Sequence, residues 1–87
     1  MDANEVLSRY AAGQRDFRQA EWRGISLIKA NLSGIDLTGA SLRNSDLSGS
    51  DLSNANLNWA SLKGTNLSKT NFKGAKMPNG RMHNDFL

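Results

Sequence analysis

The chain has 87 residues, 38% of them hydrophobic, and a formal net charge of +3 at pH 7. This length suits one small domain. The absence of cysteine excludes disulfides and thiolate metal sites, and His83 is the one histidine, so the chain lacks the usual constellations for nucleophilic or metal catalysis. We therefore predict that it is not an enzyme, with no catalytic residues, no cofactor and no metal.

The first residues are polar and acidic, where a signal peptide has a basic segment and then an apolar run. A membrane-spanning helix needs about 20 consecutive apolar residues, and no stretch of this sequence approaches that length. We expect a cytoplasmic protein with no membrane contact.

The first predicted element is a helix over about residues 3–12. Asp2 and Glu5 have the spacing of a capping box, and Gly13 is a natural stop signal. The apolar face of this helix would comprise Val6, Leu7, Tyr10 and Ala11. We expect residues 1–14 to form a capping helix that covers one end of the core built by the rest of the chain.

After the helix, a large apolar residue stands at every fifth position. An α-helix turns about 100° per residue, so this period would leave it without an apolar face. In a strand, successive members would point to opposite sides because five is odd. The period fits a solenoid, in which the chain turns a corner once per repeat and each apolar side chain points to one axis. The series is Phe17, Trp22, Leu27, Leu32, Leu37, Leu42, Leu47, Leu52, Leu57, Leu62, Leu67, Phe72, Met77, Met82 and Leu87.

Small and polar residues flank each apolar position in a regular way. The residue two before it is nearly always small, such as Ala40 or Ala55, as a crowded interior requires. The residue just before it is mostly Asp, Asn or Ser, which bond to the local backbone and stabilise turns. The residue two after it is often Gly or Asn, which tolerate left-handed backbone. Each repeat therefore carries its own turn chemistry.

Runs such as Ala30-Asn31-Leu32-Ser33-Gly34 and Ala60-Ser61-Leu62-Lys63-Gly64 resemble the A(D/N)LXX motif of the pentapeptide repeat family. The resemblance covers about residues 15–79. It implies an all-β solenoid, namely a right-handed quadrilateral β-helix with four repeats per coil and, at this length, about three coils. Its core would contain Leu27, Leu32, Leu37, Leu42, Leu47, Leu52, Leu57, Leu62, Leu67 and Phe72.

The C-terminal end has its own signals. Phe72, Met77 and Met82 stand there in place of leucine, and Met77-Pro78-Asn79-Gly80 is a strong turn signal. We assign residues 80–87 to a C-terminal tail. Its Phe86-Leu87 pair either folds under the last coil or contacts a second chain, which would give a homodimer through the end of the stack.

With 20 residues per coil, several polar side chains align from layer to layer. Asp16, Asp36 and Asn56 form one such ladder. A carboxylate ladder can in principle hold a cation, but backbone bonding at each corner explains the same residues. We favour the backbone interpretation.

The same folding aligns Arg23, Arg43, Lys63 and His83 in one column, with Arg81 beside it. Cations about 4.8 Å apart repel one another unless an anion or acidic partner covers them. The column is therefore a candidate contact site, although the net positive charge must in any case lie somewhere on the surface. Two apolar residues also fall on the outside, Ile28 and Trp59. Tryptophan is a typical interface anchor, which makes Trp59 a second candidate.

From these features we predict a non-catalytic interaction module that binds a protein or a second copy of itself. Arg23, Arg43, Lys63 and Trp59 are the candidate partner-binding residues. The alternative is a weak binder of polyanions or nucleic acid through the basic column. Nucleic acid is disfavoured because stacking platforms and a wider basic field are not evident. Some pentapeptide repeat proteins resemble acidic duplex DNA and protect topoisomerases, but the net charge of +3 argues against gyrase binding here.

Overall fold

The computed structural model describes residues 1–80. One helix, α1, spans Ala3–Ala11 and is followed by a succession of short turns. The β-structure within residues 1–80 consists of parallel bridges that are one residue long, without a longer strand. The candidate residues Arg81 and His83, the apolar Met82 and the Phe86-Leu87 pair lie outside the described residues.

Each bridge joins two residues that are 20 positions apart. The first bridge pairs Asp16 with Asp36, and the last pairs Asn56 with Lys76. Backbone hydrogen bonds accompany the bridges: the Phe17 N–H donates to the Asp36 carbonyl at 2.8 Å, and the Asp36 N–H donates to the Arg15 carbonyl at 2.8 Å. The chain therefore stacks on itself after every four five-residue repeats, and backbone groups of one layer are satisfied by the next.

Every repeat up to residue 74 turns its corner two residues after the apolar position. The φ angles at these corner positions lie between 55° and 73°. The residue after the corner closes the turn, as when the Ala40 N–H donates to the Leu37 carbonyl at 3.0 Å. The Asp or Asn before the apolar residue accepts the N–H two positions on, as Asp46 does from Ser48 at 3.0 Å. The turn chemistry predicted for the repeats is therefore present.

The last described turn differs from the others. At Met77-Pro78-Asn79-Gly80 the positive φ, 81°, moves one residue further on, to Gly80. The Gly80 N–H donates to the Met77 carbonyl at 2.7 Å. The turn that the sequence predicts is present, but its positive φ falls three residues after the apolar position instead of two.

The apolar column lies inside the stack. The fully enclosed members are Phe17, Trp22, Leu27, Leu32, Leu37, Leu42, Leu47, Leu52 and Leu57. Leu62, Leu67 and Phe72, also expected in the core, are only half-buried and pack against it, as does Met77. These four belong to the last 20-residue layer of residues 1–80, so a described layer lies on only one side of them.

Hydroxyl residues that replace alanine in the interior are hydrogen-bonded to the backbone. The Ser45 hydroxyl donates to the Leu42 carbonyl at 2.6 Å, and the Thr70 hydroxyl donates to the Leu47 carbonyl at 2.9 Å. These bonds remove the cost of burying a polar group. Within residues 1–80, Trp22 Nε1 and Ser41 Oγ are the enclosed side-chain atoms without a partner.

Helix α1 covers one end of the stack with a narrower face than the sequence indicates. Asp2 caps it, accepting the Glu5 N–H at 2.8 Å. Val6 is buried, but Leu7 is 40% exposed and Ala11 also faces solvent, which corrects their predicted burial. The reason is the docking of Tyr10: its hydroxyl donates to the Ser33 carbonyl at 2.6 Å, which sets which side of the helix meets the stack.

Three aspartates of the repeats have lowered pKa values. The Arg18 side chain bonds to Asp16 and lowers the pKa of that carboxyl to about 2. The backbone N–H and then the hydroxyl of Ser48 lower the pKa of Asp46. Hydrogen bonds from Ser53, first its side chain and then its backbone, lower the pKa of Asp51. Each lowered pKa means that folding favours the charged carboxylate.

Acidification is therefore expected to destabilise the fold. A carboxyl whose pKa is lower in the folded chain stabilises it above the unfolded pKa, near 4, and loses that contribution as the pH falls through the folded value. Denaturant titrations between about pH 5 and pH 2 should show a falling midpoint. Replacing Asp16, Asp46 and Asp51 with Asn keeps an oxygen acceptor and should flatten the profile. An unchanged profile in this triple variant would contradict the assignment.

Candidate functional site

The structure places three of the sequence-predicted cations one above another. The Gly24 N–H donates to the Arg43 carbonyl at 3.0 Å, and the Asn44 N–H donates to the Lys63 carbonyl at 3.1 Å. These bonds put Arg23, Arg43 and Lys63 at the same position in successive layers. All three residues are exposed. We call Arg23, Arg43 and Lys63 the basic column.

The members of the basic column differ in their neighbours. Arg23 lies 3.4 Å from the Glu21 carboxylate, and both side chains are well exposed, so this ion pair contributes little to stability. The Arg43 Nε donates to the Ser61 hydroxyl at 3.0 Å. Neither Arg43 nor Lys63 has an acidic partner within 4.0 Å among residues 1–80. No acidic side chain of the described part of the chain therefore neutralises the charges of Arg43 and Lys63.

Trp59 occupies a corner position, where glycine or asparagine is common. Its φ is 65°, and its side chain is 78% exposed. Its N–H donates to the Pro78 carbonyl at 2.9 Å, which fixes the backbone in the left-handed region. For a bulky residue that conformation costs about 1–2 kcal/mol. The fold therefore holds a large aromatic side chain in solvent at an energetic cost to itself.

Trp59 and Lys63 belong to the same layer. The chain passes from the corner at Trp59 to Ser61 and then to Lys63, and Gly39 and Ser41 occupy the equivalent positions one layer above. Residues 1–80 contain one cation–π contact, between Arg15 and Tyr10, so no cation of this part of the chain covers the Trp59 ring. The aromatic side chain and the basic column flank a strip of small residues.

The Asp and Asn ladders considered as a cation site have backbone partners within residues 1–80. The Asp and Asn ladders bond to the backbone N–H two residues on, and no group of three metal-binding side chains is found in this part of the chain. No pocket is found among residues 1–80. No helix in the described range is long and apolar enough to cross a membrane.

Sequence reasoning singled out Trp59 but missed its backbone strain. The corner pattern of the repeats was the available signal, because Trp59 stands two residues after Leu57. Sequence reasoning also missed the tether of α1, where Arg15 lies 3.6 Å from the Tyr10 ring centroid and Tyr10 bonds to Ser33. No local pattern signals that tether, because Tyr10 and Ser33 are far apart in sequence.

Comparisons with known proteins agree with the repeat pattern. The family model for pentapeptide repeats matches residues 14–44 and 40–79, with eight copies. A comparison with curated proteins gives no match. Among solved structures, a pentapeptide repeat protein from the cyanobacterium Cyanothece 51142 is 37% identical, with a TM-score of 0.71. That match covers 75% of this chain and 44% of the Cyanothece protein.

Two further solved structures come from Nostoc PCC 7120. The pentapeptide repeat protein alr5209 is 36% identical over 87% of this chain and 75% of its own, with a TM-score of 0.39. HetL, a pentapeptide repeat protein involved in heterocyst differentiation regulation, is 25% identical over 78% of this chain and 49% of its own, with a TM-score of 0.42. This chain thus spans less than half the length of the Cyanothece protein and of HetL.

The comparison with the Cyanothece structure implies a right-handed quadrilateral β-helix, and the parallel bridges between residues 20 apart agree with that architecture. The predicted resemblance is confirmed by the repeats matched between residues 14 and 79. The chain belongs to the pentapeptide repeat family.

Proposed function

We propose that this protein is a non-catalytic interaction module that binds another protein through Arg23, Arg43, Lys63 and Trp59. Members of its family are generally non-catalytic repeat proteins. The observation that carries the proposal is Trp59, which is 78% exposed and held at a φ of 65°. The proposal includes a stack of about three coils and a cytoplasmic location.

The energetics of Trp59 favour a role in binding and not in stabilising the fold. A tryptophan side chain buries about 150–250 Å² when it is covered, which at about 25 cal/mol per Å² corresponds to roughly 4–6 kcal/mol of hydrophobic stabilisation. In the free chain most of that area faces water, while the backbone strain is already present. A partner that covers the Trp59 side chain therefore gains its hydrophobic stabilisation, and binding adds nothing to the backbone strain at Trp59.

A second candidate function is weak binding of polyanions through the basic column. It is favoured by the alignment of three cations in successive layers, of which only Arg23 has an acidic neighbour among residues 1–80. Counterion release makes polyanion binding fall steeply with salt. An apolar contact centred on Trp59 persists at physiological ionic strength. Salt dependence therefore separates the two functions, and self-association is the third arrangement to be compared.

The proposed protein binding is tested by affinity capture from a nuclease-treated lysate of the source organism. The wild-type chain should retain one protein at physiological salt. A surface variant with Trp59→Gly, Arg43→Glu and Lys63→Glu should lose it, because both the apolar anchor and the charge are removed. A control with Lys69→Glu and Lys73→Glu, which changes exposed cations outside the basic column, should retain it.

Equal capture by the surface variant and the control would contradict the protein-binding proposal. Capture that occurs from an untreated lysate but not from the nuclease-treated one would instead support the polyanion function. A doubled mass of the purified chain in sedimentation experiments, lost in the surface variant, would indicate self-association through the same surface.

A further inference from the structure

We propose that the partner contacts this surface through an acidic α-helix that lies along the basic column. This inference rests on the proposed protein-binding function and specifies the partner of the same site. It follows from three features of the surface, namely the spacing of the basic column, the state of its cations and the surface between the basic column and Trp59.

The first feature is the spacing of charge along the stack. Parallel layers lie about 4.8 Å apart, so the backbone positions that carry the three cations span roughly 9.6 Å. On an α-helix, side chains at positions i, i+3 and i+7 share one face and span about 10.5 Å, at 1.5 Å per residue. Three same-face residues of an extended strand, i, i+2 and i+4, span about 13.6 Å. The span of the helical positions is close to that of the basic column, whereas the span of the strand positions is longer by almost one layer spacing.

The second feature is the state of the cations. The Arg43 Nε is bonded to the Ser61 hydroxyl, which leaves its two terminal nitrogens for a carboxylate, in the fork geometry that favours paired hydrogen bonds. Lys63 is exposed and has no ion-pair partner among residues 1–80. Glu21 already lies beside Arg23, so the upper layer contributes less. The attraction is concentrated at Arg43 and Lys63.

The third feature is the surface between the basic column and the corner that holds Trp59. Ser41 and Ser61 occupy this strip in successive layers, and Gly39 precedes Ser41. The Gln19 side chain lies against Gly39, and the Arg43 guanidinium lies against Ser61, so a partner helix meets these polar side chains in the strip. Trp59 lies in the same layer as Lys63, so an apolar residue beside the acidic stripe of the partner helix meets the indole ring. The combination of charge and apolar contact distinguishes this partner from a simple polyanion.

The test uses a synthetic helical peptide as the probe. It carries Glu at positions i, i+3 and i+7 and leucine at i+4, and the control peptide has the same composition with the Glu residues spread around the helix. Binding is followed by two-dimensional NMR of the labelled full chain, using the indole N–H of Trp59 and the backbone amides of Arg43 and Lys63. The patterned peptide should shift these signals, with at least about 10-fold tighter binding than the control peptide.

Variants of the chain identify the contacts. Trp59→Gly should weaken binding of the patterned peptide about 10-fold, and Arg43→Glu with Lys63→Glu should abolish it. Lys69→Glu with Lys73→Glu should leave it unchanged. Equal binding of both peptides, tighter binding of a DNA duplex than of the patterned peptide, or shifts confined to other sides of the stack would overturn the inference.

The two proposals fail in different ways. If the patterned peptide does not bind while the captured protein is still lost on changing Trp59, Arg43 and Lys63, the surface binds a partner that is not an acidic helix. If the surface variant and the control capture the same proteins, the proposed function itself fails.

Discussion

Replacing Trp22 with alanine should lower the free energy of unfolding by about 3–5 kcal/mol, whereas replacing Trp59 with glycine should leave it unchanged or raise it by up to about 1 kcal/mol. Trp22 is completely buried, and its ring meets Phe17 edge-on, with centroids 5.7 Å apart. Trp59 is exposed and strained, and glycine adopts a positive φ without steric cost. Urea denaturation followed by circular dichroism measures both differences.

A third variant, Trp22→Phe, separates the packing of Trp22 from its polar group. The Trp22 Nε1 has no hydrogen-bond partner among residues 1–80, so removing the N–H forfeits no bond there. This variant should therefore cost clearly less than Trp22→Ala, because an aromatic ring still packs against Phe17. Equal losses for Trp22→Ala and Trp59→Gly would contradict the assignment of one tryptophan to the core and the other to the surface.

Replacing Leu52 with alanine should lower the free energy of unfolding by about 2–5 kcal/mol. Leu52 is completely buried, and Leu32 and Phe72 lie at the same position in the layers above and below. A cavity there removes contacts to both neighbours. In a stack, stability depends on the interface between neighbouring units, so the loss should appear in the unfolding of the whole chain.

Two matched variants calibrate the Leu52 result. Leu67→Ala should cost less, because Leu67 is only half-buried. Ile28→Ala should stay within about 0.5 kcal/mol of the wild type, because Ile28 is 50% exposed. Thermal and chemical denaturation of the three variants check this order. A loss at Leu67 as large as that at Leu52 would show that the last described layer is covered as completely as the central ones.

The candidate site was only partly accessible from the sequence. The alignment of Arg23, Arg43 and Lys63 follows once four repeats form a layer, and the structure places them in successive layers. The bond between Arg43 and Ser61, and the ion pair between Arg23 and Glu21, depend on side-chain conformations that no repeat pattern specifies. Residues that disfavour left-handed backbone, such as Trp59 and Lys69, nevertheless adopt it, because the bonds between layers impose the corner geometry on the repeats up to residue 74.

The solenoid character of the chain follows from its repeat pattern. A large apolar residue at every fifth position, with turn-forming residues around it, excludes both a helix and a flat sheet and places the leucines on a common axis. These are local properties, because each repeat specifies its own turn. Local sequence also placed α1 within one residue of its observed bounds, Ala3–Ala11.

Other features depend on contacts between distant parts of the chain and are seen only in the folded structure. The five-residue period is compatible with corners of different angles, and the pairing of residues 20 apart appears only when one layer hydrogen-bonds to the next. The burial of Leu52 relative to Leu67 depends on which layers lie above and below. The face of α1 that docks was selected by the bond from Tyr10 to Ser33, since an amphipathic helix specifies an apolar side but not the surface that it meets.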